Sequence, residues 1–229
     1  IIGRDILEVG FDGMVASAGA YVQAGDDILL DQLLTEAVVQ ECLNVFHGVG
    51  MFCRIESPEG IYTDPQMEEL LRTATPDPSN SELIRMQKEI ESGLTIRKYE
   101  EYPRQGAYKL CFTSRDLDSV RKAREVLGER FDFVVHPYGE STACFNGEII
   151  PKGIDKGKGM ELICNYYGAS LADTIAFGDS MNDAEMLKCA GIAVAMGNAC
   201  NELKALADTV CEDVQHDGIA LELHRMGLY

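Results

Sequence analysis

The sequence predicts an α/β fold in two parts, a parallel sheet flanked by helices and an α+β segment inserted into it. Three observations predict this. From Pro151 onward, helical and strand-like patterns alternate, which is the grammar of a parallel sheet covered on both faces. Before it, over about residues 26–145, turn-linked extended runs mix with helices and read as a separate α+β unit. The run IAFGDSMNDAEML, residues 175–187, ends an apolar strand in carboxylates, an amide and a hydroxyl. The expected division is therefore a core of residues 1–25 and 146–229 with an inserted domain at 26–145.

Taken in order, residues 4–9 read as a helix tail and Met14 to Ala16 as a short strand. Ser17 to Ala20 makes a corner before a second extended stretch, Tyr21 to Gln23. In TEAVVQECLNVFH, residues 35–47, Val38, Val39, Cys42, Leu43 and Phe46 recur at spacings of three and four. That predicts an amphipathic helix with Thr35 as N-cap. Strands follow at MFCRIES and at GIYTD, the second after the turn Pro58-Glu59-Gly60. Residues 73–106 are the least regular, two loops around a charged helix. A strand (YKLCFTS), a helix (DLDSVRKAREVLG) and a strand (FDFVVHP) come next, then short extended stretches at TACF and GEII. Helices at 158–167, 183–189, 200–206 and 218–225 then alternate with strands at 173–178, 191–195 and 208–210. Gly25 and Asn146-Gly147 are the expected hinges of the insert.

The 229 residues are 46% apolar and carry a net charge of −18, enough apolar matter for a sizeable core. An acidic surface repels nucleic acid and anionic membrane, so neither is an expected partner. No apolar run approaches the length of a membrane span, and no secretory signal is evident. The eight cysteines are scattered without CxxC pairs, as expected of buried thiols in a reducing, cytoplasmic setting. The four histidines lack metal-ligand spacing.

The chemistry gathers in three stretches. Taken alone, the Gly178-Asp179 junction reads equally well as a capped helix start, with Asp179 or Ser180 as N-cap and Asp183 favoured by the helix dipole. In a parallel sheet, however, ligands bind beyond the carboxyl ends of the strands, where Asp179 stands. The second stretch, IIPKGIDKGKGM, places Lys152, Lys156 and Lys158 at a helix N-terminus. Cations are disfavoured there unless an anion is to be neutralised. The third, AMGNA at 195–199, ends another strand in a Gly-Asn loop.

Together, GIDKGKGM, IAFGDSMNDAEML, AGIAVAMGNA and ADTVCEDVQHDGIALEL closely resemble the C-terminal half of Cof-type phosphatases of the haloacid dehalogenase (HAD) superfamily. FDGMVASAGAYV resembles the stretch after that family's second motif, with Ala18-Gly19-Ala20 where Asn-Gly-Ala is usual. The resemblance implies a HAD-like Rossmannoid core with an inserted α+β cap that closes over the site and selects the substrate. It implies Lys156 as the lysine that steadies the phosphoryl group, and Asp179 as the acidic Mg2+ ligand. Asp183 is the loop's second acid, catalytic and part of the metal site. Asn182 and Asn198 join Lys156 as substrate-binding residues. The implied activity is a magnesium-dependent phosphohydrolase acting on small phosphorylated metabolites through an aspartyl-phosphate intermediate. The expected assembly is a monomer or weak homodimer.

One family element has no counterpart in these residues, the DxDGT motif with its nucleophilic aspartate. Phe11-Asp12-Gly13 lacks the second carboxylate, and Asp116-Leu117-Asp118 sits at a helix start inside the insert. The expectation is that the natural protein begins roughly 40–50 residues earlier, one βαβ unit plus a helix, and that this chain alone is inactive. Two alternatives stand beside the hydrolase, a non-catalytic relative that binds a phosphorylated ligand and a phosphomutase of the same superfamily. An upstream DxDGT separates the enzymes from the binder. Phosphate release against phosphate migration separates hydrolase from mutase.

Overall fold

The structure, a computed structural model, describes residues 8–67, 96–137 and 145–228. Two compact units are present, one built on Gln32–Lys152 and the other on Gly10–Asp31 with Gly153–Tyr229. The chain thus passes between them at residues 31–32 and 152–153.

The second unit opens with three antiparallel strands, β1 (Gly13–Ala16), β2 (Tyr21–Ala24) and β3 (Asp27–Asp31), in the order β1-β2-β3. A tight 3-10 turn, Ser17–Gly19, joins the first two, with Ala18 left-handed at φ 57°. β3 was not foreseen in DILLD, because three apolar residues in a row carry no period-two alternation. Its pairing with β2 makes Gly25 part of a hairpin turn, and the Gly25 N–H bonds to the Asp12 carbonyl at 2.8 Å, so it is no hinge between the units.

In Gln32–Lys152, helix α1 (Glu36–Gly48) buries Val39, Cys42, Leu43 and Phe46, the expected stripe. Thr35 occupies the N-cap position but its hydroxyl makes no capping bond. The strands are β4 (Phe52–Ser57), β5 (Gly60–Thr63), β6 (Ile96–Lys98), β7 (Lys109–Ser114), β8 (Phe131–Pro137) and β9 (Phe145–Pro151), and α2 (Leu117–Leu127) follows β7. They form one six-stranded sheet, β6-β5-β4-β7-β9-β8. Its buried apolar cluster joins Phe46 and Leu43 of α1 to Ile55, Leu110, Phe112 and Ile149 of the sheet and Leu127 of α2. Each such side chain contributes about 1.5–3 kcal/mol on burial. The opposite side of the strands carries charge, with Arg54, Cys111 and Glu148 abreast across β4, β7 and β9. Gly147 lies inside β9, opposite Phe112 and Val135. A Cβ there would stand 2.3 Å from the Val134 carbonyl oxygen, so this glycine serves close strand packing and not the hinge expected at Asn146-Gly147. Asp116 caps α2 by accepting from the Ser119 N–H at 2.7 Å, which accounts for Asp116-Leu117-Asp118 as a helix start. The charged helix expected within 73–106 falls mostly outside the described residues, as do residues 4–7 and 142–144.

The second unit resumes with α3 (Lys156–Tyr167), which begins two residues earlier than expected because Asp155 caps it, accepting from the Lys158 N–H at 2.7 Å. Next come β10 (Ile175–Gly178), α4 (Ala184–Cys189), β11 (Ile192–Ala195), α5 (Asn201–Lys204), β12 (Thr209–Val210) and α6 (Gly218–Arg225). The three strands pair in parallel in the order β10-β11-β12. Ala176, Ala184, Leu187, Ala193, Ala195 and Leu203 form a small core. The alternation predicted from residue 151 is therefore an α/β unit with a parallel sheet. The seven described cysteines are free thiols, and among the described residues no helix is long and apolar enough to cross a membrane.

Candidate active site

Parallel register assembles the site. Gly178 lies beside Ala195, and Ala195 beside Val210, so three strands end level and their following loops emerge together. The first loop holds Asp179, Asn182 and Asp183, the second Asn198, and the third runs into the 3-10 turn Val214–His216.

Asp183 organises the first loop. It is only 5% exposed, and its carboxylate folds back over the strand end. Oδ2 accepts the N–H groups of Asp179 at 3.0 Å and Ser180 at 3.1 Å. Gly178 makes this possible, since a Cβ there would lie 2.7 Å from the Asp183 Cβ. Oδ1 accepts from Lys156 Nζ at 2.5 Å. A carboxylate so buried is tolerated when it is paired and hydrogen-bonded in this way. Lys156 stands at the first residue of α3 and reaches across 27 residues of sequence; it also donates to Asn182 Oδ1 at 3.1 Å.

Asp179 is held by the second loop. Asn198 Nδ2 donates to Asp179 Oδ2 at 3.3 Å, while Asn198 Oδ1 accepts the Val214 N–H at 3.3 Å. All five residues singled out from the sequence thus lie in two linked clusters, Lys156–Asp183–Asn182 and Asp179–Asn198, joined through the Asp179 N–H. Of the other lysines, Lys158 pairs with Glu161 at 2.6 Å and Lys152 ends the other unit.

The donor set suits a hard cation. Among the described residues no three His, Cys, Asp or Glu side chains gather into a ready-made cage. Magnesium does not need one, since it keeps several waters and takes one or two carboxylates plus phosphate oxygens. Asp179 offers such a carboxylate at the sheet edge. Asp183 differs, because both of its oxygens are engaged by Lys156 and the two backbone N–H groups, a geometry that supports the lysine more directly than a metal. Two contributors were not visible beforehand, the Val214 N–H and Lys204, whose Nζ donates to the Gly197 carbonyl at 2.7 Å. Val214 is placed by the turn after β12 and Lys204 by the short helix α5.

Residues 4–223 match the family model of haloacid dehalogenase-like hydrolases. The chain belongs to that family. HMP-PP phosphatase of Escherichia coli O8 (strain IAI1) is 40% identical over 100 residues, 42% of this chain and 35% of that protein. HMP-PP phosphatase of Yersinia pseudotuberculosis serotype O:1b (strain IP 31758) is 33% identical over 113 residues, 48% and 39% of the two chains. The match thus spans between a third and two-fifths of the length of these curated relatives. A solved HAD subclass IIB sugar phosphatase superposes with a TM-score of 0.74 at 21% identity, covering 99% of this chain and 80% of its own. A haloacid dehalogenase-like hydrolase from B. subtilis gives 0.73 at 21% identity, covering 94% and 80%. At such identities the solved structures establish the HAD fold. The resemblance carried by the GDSMND loop is thus a family membership, and nothing in these likenesses supports the expected inactivity of the chain.

Proposed function

We propose that the protein is a magnesium-dependent phosphohydrolase acting on small phosphorylated metabolites, sugar phosphates or similar, through an aspartyl-phosphate intermediate. The observation that carries this is the 2.5 Å pair between Lys156, at the start of α3, and the buried Asp183, on the loop that also bears Asp179. Phosphoryl transfer needs little beyond positioning and neutralisation of charge. Lys156 presents a fixed ammonium to the phosphoryl oxygens, and Asp183 keeps it from swinging away. Asn182 and Asn198 offer amides to orient the bound ester. Asp179 would hold a magnesium ion, which would supply positive charge to neutralise the phosphoryl group. None of the five residues is assigned the nucleophile, which the aspartyl-phosphate route requires in addition. The relatives named HMP-PP phosphatase support a small phosphorylated substrate.

The test is phosphate release from a panel of small phosphate monoesters. Release should need magnesium, stop with EDTA and return with excess magnesium. Lys156→Ala should lower kcat by about a hundredfold to a thousandfold, as loss of one charge-stabilising donor does. Full activity in Lys156→Ala, or release indifferent to EDTA, would overturn the proposal.

A further inference from the structure

We propose that Lys204 is a positioning residue for the magnesium carboxylate, acting through the backbone of the Gly197-Asn198 loop; this rests on the magnesium reading above. The contacts form a chain. Lys204 Nζ donates to the Gly197 carbonyl at 2.7 Å, from a part-buried position in α5. Gly197 is closed in on its other side, where a Cβ would stand 2.8 Å from the Asp213 N and 3.1 Å from the Cys211 carbonyl oxygen. Its own N–H bonds to the Glu212 carbonyl at 3.3 Å. The peptide linking Gly197 to Asn198 is therefore gripped by the lysine from α5 and by the loop after β12. Asn198 follows directly, its amide bonded at one end to the Val214 N–H and at the other to Asp179 Oδ2, both at 3.3 Å.

A helix C-terminal lysine ordinarily serves its own last carbonyls. Lys204 instead reaches back seven residues to a carbonyl ahead of its helix. Its ammonium holds the loop whose side chain aims a carboxylate oxygen. Groups in such outer positions commonly set metal affinity by 10–100-fold without touching the metal.

The experiment is calorimetric titration of Mg2+ into the intact protein. Lys204→Met, which keeps the apolar stem, should weaken binding about tenfold. Lys204→Arg, which keeps a donor, should recover most of that loss. Leu187→Ala, a core truncation in the same unit, should lower Tm at least as far and leave Mg2+ affinity near wild type. Unchanged affinity in Lys204→Met, beside loss of binding in Asp179→Asn, would overturn the role of Lys204 alone. Equal weakening in Leu187→Ala would overturn it too, by reducing the effect to stability. Unchanged affinity in Asp179→Asn would instead remove the magnesium reading, and this inference with it.

Discussion

Both units of the molecule bury carboxylates against lysine, yet they place the charges differently. In the inserted unit they stand on one face of the sheet, across neighbouring strands. Lys109 on β7 pairs with Glu148 on β9 at 2.7 Å and lies 3.5 Å from Glu56 on β4, while Arg54 meets Glu56 at 2.8 Å. These side chains project on one sheet face, so the two Lys109 pairs tie β7 to its neighbours β9 and β4, while Arg54 and Glu56 pair along β4 itself. Burial alone would raise the Glu56 pKa, but the charges of Lys109 and Arg54 prevail and hold it well below the usual carboxylate range. In the other unit the charges stand at strand ends and at a helix start. There Lys156 and Asp183 bind the start of α3 to the loop after β10 and leave Asp179 on the same edge. Charge across the sheet face serves register and stability; charge at the strand ends stands where the proposed site lies.

The sharpest way to break this comparison is Lys109→Met. Removing one partner of a buried charged cluster should cost about 3–5 kcal/mol, roughly 6–20 °C in Tm, because Glu56 and Glu148 lose their lysine. Thermal unfolding measures it, and magnesium affinity should not follow. A change confined to magnesium affinity would erase the distinction between the two clusters.

Next in size is an alkaline effect that is largest in the inserted unit. Burial pushes the thiols of Cys42 and Cys111 from 9.0 up to about 12, in Cys111 against the charges of Arg54 and Lys109. Between about pH 9 and 12 the unfolded chain has released these protons and the folded chain has not. Stability should therefore fall as pH rises through that window, by about 1.4 kcal/mol per pH unit for each thiol, and be insensitive to them below it. Denaturant midpoints from pH 8 to 10.5 would check this; a flat profile above pH 9 would contradict it.

The smallest effect belongs to Lys158. Its 2.6 Å pair with Glu161 is an exposed i,i+3 contact, screened by solvent and worth little. Lys158→Ala should leave phosphate release close to wild type. A loss equal to that of Lys156→Ala would mean a general basic patch.

What could be read from the sequence follows the same division. The site residues were legible because parallel strands end in loops, so Asp179, Asp183 and Asn198 announce themselves at breaks in apolar runs. The dipole argument flagged Lys152, Lys156 and Lys158 alike, and the family resemblance picked out Lys156. The links between the site residues were not legible, since the Asn198–Val214 and Lys204–Gly197 bonds depend on how the loop after β11 folds against α5 and the turn after β12. In the inserted unit the α1 stripe was plain, but the ion pairs were hidden, because strand order in a hairpin-rich sheet decides which charges meet. Gly147 misled for a related reason. A glycine that permits close packing looks, in sequence, like one that permits bending.

The most direct test of the central claim is to titrate magnesium against the initial rate of phosphate release in wild type and in Asp179→Asn. That substitution keeps the shape of the side chain and its bond to Asn198 while removing the charge. The account predicts a rate at least about a hundredfold lower at any magnesium concentration, with Tm near wild type. A wild-type rate with an unchanged magnesium midpoint would contradict it.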